Sequence, residues 1–195
     1  MTVPVDTGVP ARSAANLTEL AGDPTDVYDG LPDRDLDQGE LLRLAATIAS
    51  EPGLWGADVA FDDEHRHYAC LHRDEHVDVW LLCWTPSNDT GWHDHDVSSG
   101  AVAVVRGRLL EHNLAVGAPS FETAVDRGRV FSFGPDHIHR LTGVAPTTDV
   151  GGAVSVHAYS PPLERLGQYI VDESGLLHRT SVSYTDELSA MGVAT

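Results

Sequence analysis

Between Tyr68 and Tyr159 the sequence is a succession of short β-forming runs cut by Gly and Pro, and this punctuation constrains the fold more than any other feature. The run Val77-Asp78-Val79-Trp80-Leu81-Leu82-Cys83-Trp84 ends at Thr85-Pro86. Ala101 to Val105 stops at the turn signal Arg106-Gly107, and Leu109-Leu110-Glu111 resumes beyond it. Arg129 to Phe133 and Ala153 to Tyr159 are two further runs. Branched and aromatic residues favour the pleated, half-buried surface of a sheet, and Gly and Pro mark the reversals. Short strands at this spacing predict an all-β, antiparallel sandwich or barrel.

One helix precedes them. Asp37 followed by Glu40 has the form of a capping box, Leu41, Leu44, Ala45 and Ile48 recur on one helical face, and Glu51-Pro52-Gly53 stops the element, which predicts a helix over 37–50. Residues 1–36 are rich in Pro, Gly, Asp and Thr and read as a loosely ordered arm. Residues 37–175 then form a single domain, and 176–195 a polar tail.

Composition removes several classes of function. Twelve basic residues, all arginine, stand against 30 acidic ones, for a formal charge of −18. Such a charge repels phosphate backbones and anionic lipid, so neither nucleic acid nor membrane is expected as a partner. The absence of lysine excludes Schiff-base chemistry and Walker-type phosphate binding. Two cysteines, Cys70 and Cys83, are too few for a disulfide framework or a four-thiolate zinc site. The chain has no apolar run of about 18 residues, and its first residues lack a basic start and an apolar stretch, so a cytoplasmic protein is expected. A monomer and a homodimer are both compatible with this sequence.

Histidine is the informative residue. Eleven are present, and they form three His-x-His pairs where roughly 0.6 would arise by chance. His65 and His67 lie in the charged stretch Asp62-Asp63-Glu64-His65-Arg66-His67 and read as a solvated loop. His93 and His95 differ: in extended backbone, residues two apart point to the same side, so their imidazoles can converge on one ion. Gly91 ahead of them permits a sharp turn. After the pair come four residues, Gly100, six residues and Gly107, which is the spacing of the first cupin motif with glycine in the glutamate position. The second cupin motif lies on Gly128 to Gly143, with Gly134, Asp136 and Gly143 in place of its usual Pro, Gly and Asn. Its register puts His139, rather than His137, at the third ligand position.

Several segments together resemble the thiol dioxygenases, the group that includes cysteine dioxygenase and 3-mercaptopropionate dioxygenase. They are Trp80-Leu81-Leu82-Cys83-Trp84, Thr90-Gly91-Trp92-His93-Asp94-His95, His139-Arg140-Leu141 and Ser155-Val156-His157-Ala158-Tyr159-Ser160-Pro161-Pro162. The resemblance covers about residues 65–165 and implies a cupin double-stranded β-helix, a jelly-roll barrel with a short N-terminal helical segment. It implies an iron(II) ion, Fe(2+), on His93, His95 and His139, a small thiol and dioxygen as substrates, and a sulfinate as product. It also accounts for the missing glutamate, since three neutral histidines leave the ion its full charge and open positions for a thiolate.

Ser155, His157 and Tyr159 alternate along one strand and share a face, with Val154, Val156 and Ala158 on the other. On pattern alone this is either a half-polar strand or a functional trio. The resemblance implies a hydrogen-bonded relay in which Ser155 fixes His157 and His157 fixes the Tyr159 phenol beside the iron. Gly100 stands where animal cysteine dioxygenases carry the cysteine that cross-links to the tyrosine, so no such link is expected. Counted from Tyr68, the family's carboxylate-binding arginine falls at Cys70, which cannot form a bidentate pair. Arg66 or Arg73 can substitute if the loop register slips, Arg140 is another candidate cation, and Trp92 reads either as core or as pocket wall. Cysteine is on this count disfavoured as substrate against 3-mercaptopropionate or a bulkier thiol or thione such as ergothioneine. The rival readings are a cupin isomerase, decarboxylase or other oxygenase, and a ligand-sensing cupin without turnover.

Overall fold

The strand Ala153–Ser160 shows how the sequence builds the molecule, because its two faces serve two different cores. Val154, Val156 and Ala158 join an apolar cluster on one side, and Tyr159 joins a second cluster on the other. The computed structural model describes residues 14–114, 120–144, 151–172 and 176–190. In chain order these form β1 (Ala15–Asn16), α1 (Leu17–Leu20), α2 (Gln38–Ser50), two single 3-10 turns, β2 (Tyr68–Arg73), β3 (Asp78–Trp84), β4 (Trp92–Asp94), β5 (Ser99–Arg106) and β6 (Arg108–Asn113). β7 (Phe121–Asp126), β8 (Arg129–Phe133), β9 (His139–Gly143), β10 (Ala153–Ser160), β11 (Arg165–Val171), β12 (Leu177–Ser183) and α3 (Tyr184–Ala190) complete the order.

The strands make two six-stranded sheets, ordered β1-β8-β5-β10-β3-β2 and β12-β11-β4-β9-β6-β7, and their pairings are antiparallel. This is the all-β, two-sheet architecture expected of a double-stranded β-helix. The inner faces enclose Trp80, Leu82, Trp84, Val102, Val104, Phe131, Phe133 and Leu141, among others. The outer face of the first sheet is covered by α2. Val79, Leu81 and Cys83 on β3 point to the helix while Trp80, Leu82 and Trp84 point inward, so β3 is buried on both sides and reads as an unbroken apolar run.

The helix begins as its sequence dictates. The Asp37 carboxylate accepts from the Glu40 N–H at 2.8 Å, and the Glu40 carboxylate accepts from the Asp37 N–H at 2.9 Å. Leu41, Leu44, Ala45 and Ile48 are buried against the sheet. Each large side chain so placed contributes about 1.5–3 kcal/mol relative to exposure.

The two ends of the domain hold more structure than composition indicates. Within the segment read as an arm, Ala15–Asn16 pairs with β8, Leu17 and Leu36 are buried, and the Leu36 N–H donates to Ser160 Oγ at 2.8 Å. Within the segment read as a polar tail, β12 extends the second sheet, and α3 sends Tyr184 and Leu188 into the inner core. Residues 1–13 and 191–195 of those segments lie outside the described residues. No helix among the described residues is long and apolar enough to cross a membrane.

Candidate metal centre

Two strands of the second sheet bring the histidines together. His93 on β4 and His139 on β9 are direct cross-strand partners. Opposed residues in an antiparallel pair hold their side chains about 4.5–5.5 Å apart. The ring centroids lie 4.7 Å apart. His95 follows two residues later and points to the same side, with centroids 4.9 Å from His93 and 5.0 Å from His139. Gly91, at φ +64°, supplies the left-handed turn that aims β4 inward. One nitrogen from each of the three rings falls within 4.8 Å of the others, so the trio could hold a metal ion.

The chemistry of these donors fits a cation. His93 and His95 are buried, and burial, reinforced by the neighbouring imidazoles, holds both well below the ordinary histidine range and therefore neutral. Both ring nitrogens of His95 are buried without a hydrogen-bond partner. Such an orphaned donor set is costly in an empty core and is what an ion would satisfy.

A carboxylate supports the third histidine. Glu111 on β6 is buried, and its Oε1 lies 2.9 Å from His139 Nδ1 and 3.0 Å from His137 Nε2. Burial pushes its pKa up, but the two imidazole hydrogen bonds outweigh burial and hold it at about 2. The carboxylate fixes the tautomer and orientation of His139, leaving Nε2 to face His93 and His95. His137 meets the carboxylate instead of joining the converging trio. The sequence reading missed Glu111 because the carboxylate expected near the first motif falls at Gly100, not on the next strand.

Gly100 has a steric reason beyond charge. A Cβ there would lie 2.5 Å from Phe133 Cε2 and Cζ and 2.9 Å from Tyr159 Cδ1. Phe133 occupies that space and packs its ring 4.3 Å from His95. Gly100 is also the cross-strand partner of Tyr159.

Ser155, His157 and Tyr159 line the inner face of β10 across from the histidines. Ser155 Oγ lies 2.8 Å from His157 Nε2, and His157 Nδ1 lies 3.1 Å from the Tyr159 hydroxyl. A fourth member, absent from the sequence reading, gives this relay its direction: Trp84 Nε1 donates to Ser155 Oγ at 2.8 Å. Indole nitrogen can only donate. Among the described contacts the Ser155 hydrogen then has one acceptor, His157 Nε2. Burial holds His157 well below its ordinary pKa, so it is neutral and carries its hydrogen on Nδ1, which donates to the Tyr159 oxygen. The phenol keeps its own hydrogen to offer onward, and burial, reinforced by Asp78, pushes its pKa upward. The Tyr159 and His95 rings lie 5.6 Å apart.

The candidate substrate-binding residues have different surroundings. Cys70 is exposed, and its thiol donates to the His72 carbonyl. Arg73 is paired with Glu164, and Arg140 with Asp89. Trp92 lies edge-on to His112 at 6.5 Å, on the face of β4 opposite His93. Asp94, on that same outer face, is clamped by Arg179 at 2.7 and 2.8 Å, which ties the ligand-bearing strand to β12. Among the described residues the buried arginine is Arg66, from the segment ahead of β2. Its side chain is 1% exposed and lies over the Trp84 ring at 4.9 Å, and it lowers the pKa of both His93 and His157. Of the other histidine pair, His65 is exposed and His67 bonds the Asp58 carbonyl.

Two antiparallel sheets with three converging histidines between them define a cupin-type double-stranded β-helix. The sequence model of the family described as cysteine dioxygenase type I matches residues 15–172, and the chain belongs to that family. Among solved structures it is similar to the protein TT1209 from Thermus thermophilus, with 12% identity over 55% of this chain and 93% of that one, at a TM-score of 0.45. It is also similar to an RmlC-like cupin protein from Desulfovibrio desulfuricans, with 17% identity over 53% of this chain and 90% of that one, at 0.42. A protein from Klebsiella pneumoniae with a double-stranded β-helix domain matches at 12% identity, over 64% of this chain and 92% of that one, at 0.44.

Proposed function

We propose that the protein is a mononuclear iron(II) thiol dioxygenase that adds both atoms of dioxygen to the sulfur of a small thiol to give a sulfinate, RSH + O2 → RSO2H. The observation that carries this reading is the trio His93, His95 and His139, three imidazole donors with no carboxylate among them, facing a tyrosine at the end of a directed relay. Ferrous ion held there supplies the acidity that keeps a thiol as thiolate and the redox chemistry that lets dioxygen react with it.

The chain's own residues do the rest. Tyr159, with its proton retained and its oxygen fixed by His157, offers a hydrogen bond to the reacting partner. Trp84 and Ser155 hold that arrangement from behind. Phe133 and Trp80 wall the space and exclude water. Arg66 is the group suited to a substrate carboxylate, because Nε and Nη1 of its buried guanidinium have no partner. This reading takes Arg66 as the substitute for the arginine missing at Cys70, and with a cation available, cysteine and 3-mercaptopropionate both become reasonable substrates.

Oxygen uptake by the iron-loaded protein with a thiol panel of cysteine, 3-mercaptopropionate, 2-mercaptoethanol and ergothioneine tests it. Thiol-dependent uptake with one sulfinate formed per O2 is expected. Absence of uptake with every thiol, in protein that holds iron on its three histidines, would refute it.

A further inference from the structure

Arg66, the cation beside the histidines, is already engaged by the chain itself. Glu187 of α3, 121 residues away in sequence, places both carboxylate oxygens 3.3 Å from Arg66 Nη2. The pair is almost wholly buried, with side-chain exposures of 1% and 4%. Arg66 Nε and Nη1 lack partners. The helix bearing Glu187 also covers the approach to the relay: the Tyr184 ring meets Trp80 edge-on at 5.5 Å and Tyr159 at 5.9 Å.

A guanidinium offers two donor pairs to a carboxylate, Nε with Nη2 and Nη1 with Nη2. Both include the nitrogen that Glu187 holds. A substrate carboxylate seated on either pair must therefore share Nη2 with Glu187 and bring a second negative charge against it in a buried site. A Glu187 carboxylate displaced from Arg66 cannot stay buried, since an unpaired buried carboxylate is strongly unfavourable. The histidines, Tyr159 and Arg66 are all buried with α3 in place, so a ligand reaching them needs an opening.

We propose that Glu187 is a built-in surrogate of the substrate's carboxylate: a mercapto-carboxylate takes its place on Arg66, and α3 leaves the inner core as the ligand enters. The proposal rests on the dioxygenase reading for the sulfur chemistry and on Arg66 and Glu187 alone for the exchange. Glu187 thereby selects against thiols that lack a carboxylate, because these cannot compensate Arg66 when the helix departs.

The test uses the full-length, metal-free protein and follows backbone hydrogen exchange across residues 184–190 with calorimetric titration. Under reducing conditions, 3-mercaptopropionate is expected to bind and to accelerate exchange in α3, while 2-mercaptoethanol, without a carboxylate, leaves it unchanged. Glu187→Gln is expected to raise α3 exchange without ligand and to bind 3-mercaptopropionate about tenfold more tightly, because the competing occupant is weakened. Unaltered α3 exchange at saturation with 3-mercaptopropionate, equal responses to the two thiols, or no binding of the carboxylate would overturn the proposal. The wild-type titration decides even if Glu187→Gln fails to fold. Thiol oxidation without α3 opening would sink the exchange and leave the dioxygenase reading standing; opening without thiol oxidation would do the reverse.

Discussion

Glu111 and His139, on adjacent strands of the second sheet, are joined by a 2.9 Å hydrogen bond that turns the imidazole toward the other two histidines. Removing the charge while keeping the shape isolates that effect. Glu111→Gln is expected to lower iron affinity about 10- to 100-fold with the fold intact, as measured by titration of metal-free protein. Unchanged affinity would show that packing alone orients His139.

The direction of the relay rests on Trp84. Trp84→Phe removes the donor to Ser155 and lets the serine hydrogen reverse, so that His157 no longer has to donate to Tyr159. Turnover is expected to fall about a hundredfold, the lower end of a general acid–base effect, with iron content unaffected. Tyr159→Phe should lower turnover at least as far. Full activity in Trp84→Phe would mean that the tyrosine is oriented by other contacts.

Gly100 is a position where volume decides. Gly100→Ala puts a methyl group within 2.5 Å of the Phe133 ring. Overpacking of this kind costs about 1–3 kcal/mol, readable in chemical unfolding. Gly100→Glu, which restores the usual cupin carboxylate, is expected to be worse still. A neutral effect of Gly100→Ala would mean that Phe133 moves freely, and the claim that its ring braces His95 would fail.

Asp78, fully buried, carries a pKa raised to about 6, chiefly by burial. Between the unfolded value near 4 and about 6 the native state binds the extra proton, so this residue's contribution to stability falls as pH rises through that window. Two pKa units correspond to about 3 kcal/mol. Asp78→Asn removes the titration, so its stability relative to wild type should improve by about that amount between pH 4 and pH 7.5. Parallel unfolding curves at the two pH values would contradict the assignment.

What the sequence revealed were features written in neighbouring residues. The capping box of α2, the alternation along β10 and the His93-x-His95 spacing each depend on a local period, and all are present in the structure. Pairs far apart in sequence were hidden. Glu111 sits in a run of leucine and histidine whose inward face is set only by pairing with β9, and Glu187 meets Arg66 across 121 residues. The count from Tyr68 that puts Cys70 at the family's arginine position runs along a regular stretch of β2, whose irregularity begins only after Cys70. That Arg66, one of the alternatives the sequence left open, is the buried guanidinium depends on its meeting Glu187 and so could not be counted out. Of the apolar residues that dock the two ends, Leu17 and Leu36 each stand between polar neighbours, and Tyr184 and Leu188 make a single i, i+4 pair, too short a pattern to mark a helix on its own.

The central claim, a ferrous centre on His93, His95 and His139 that oxidises sulfur, is tested most directly by mass spectrometry of the product formed from 3-mercaptopropionate and isotopically labelled dioxygen. The iron-loaded wild type is predicted to yield a sulfinate carrying label at both oxygen positions, and His139→Ala to lose both the iron and the product. A disulfide as the only oxidised species, a product with label at one position, or undiminished sulfinate from His139→Ala would contradict the account.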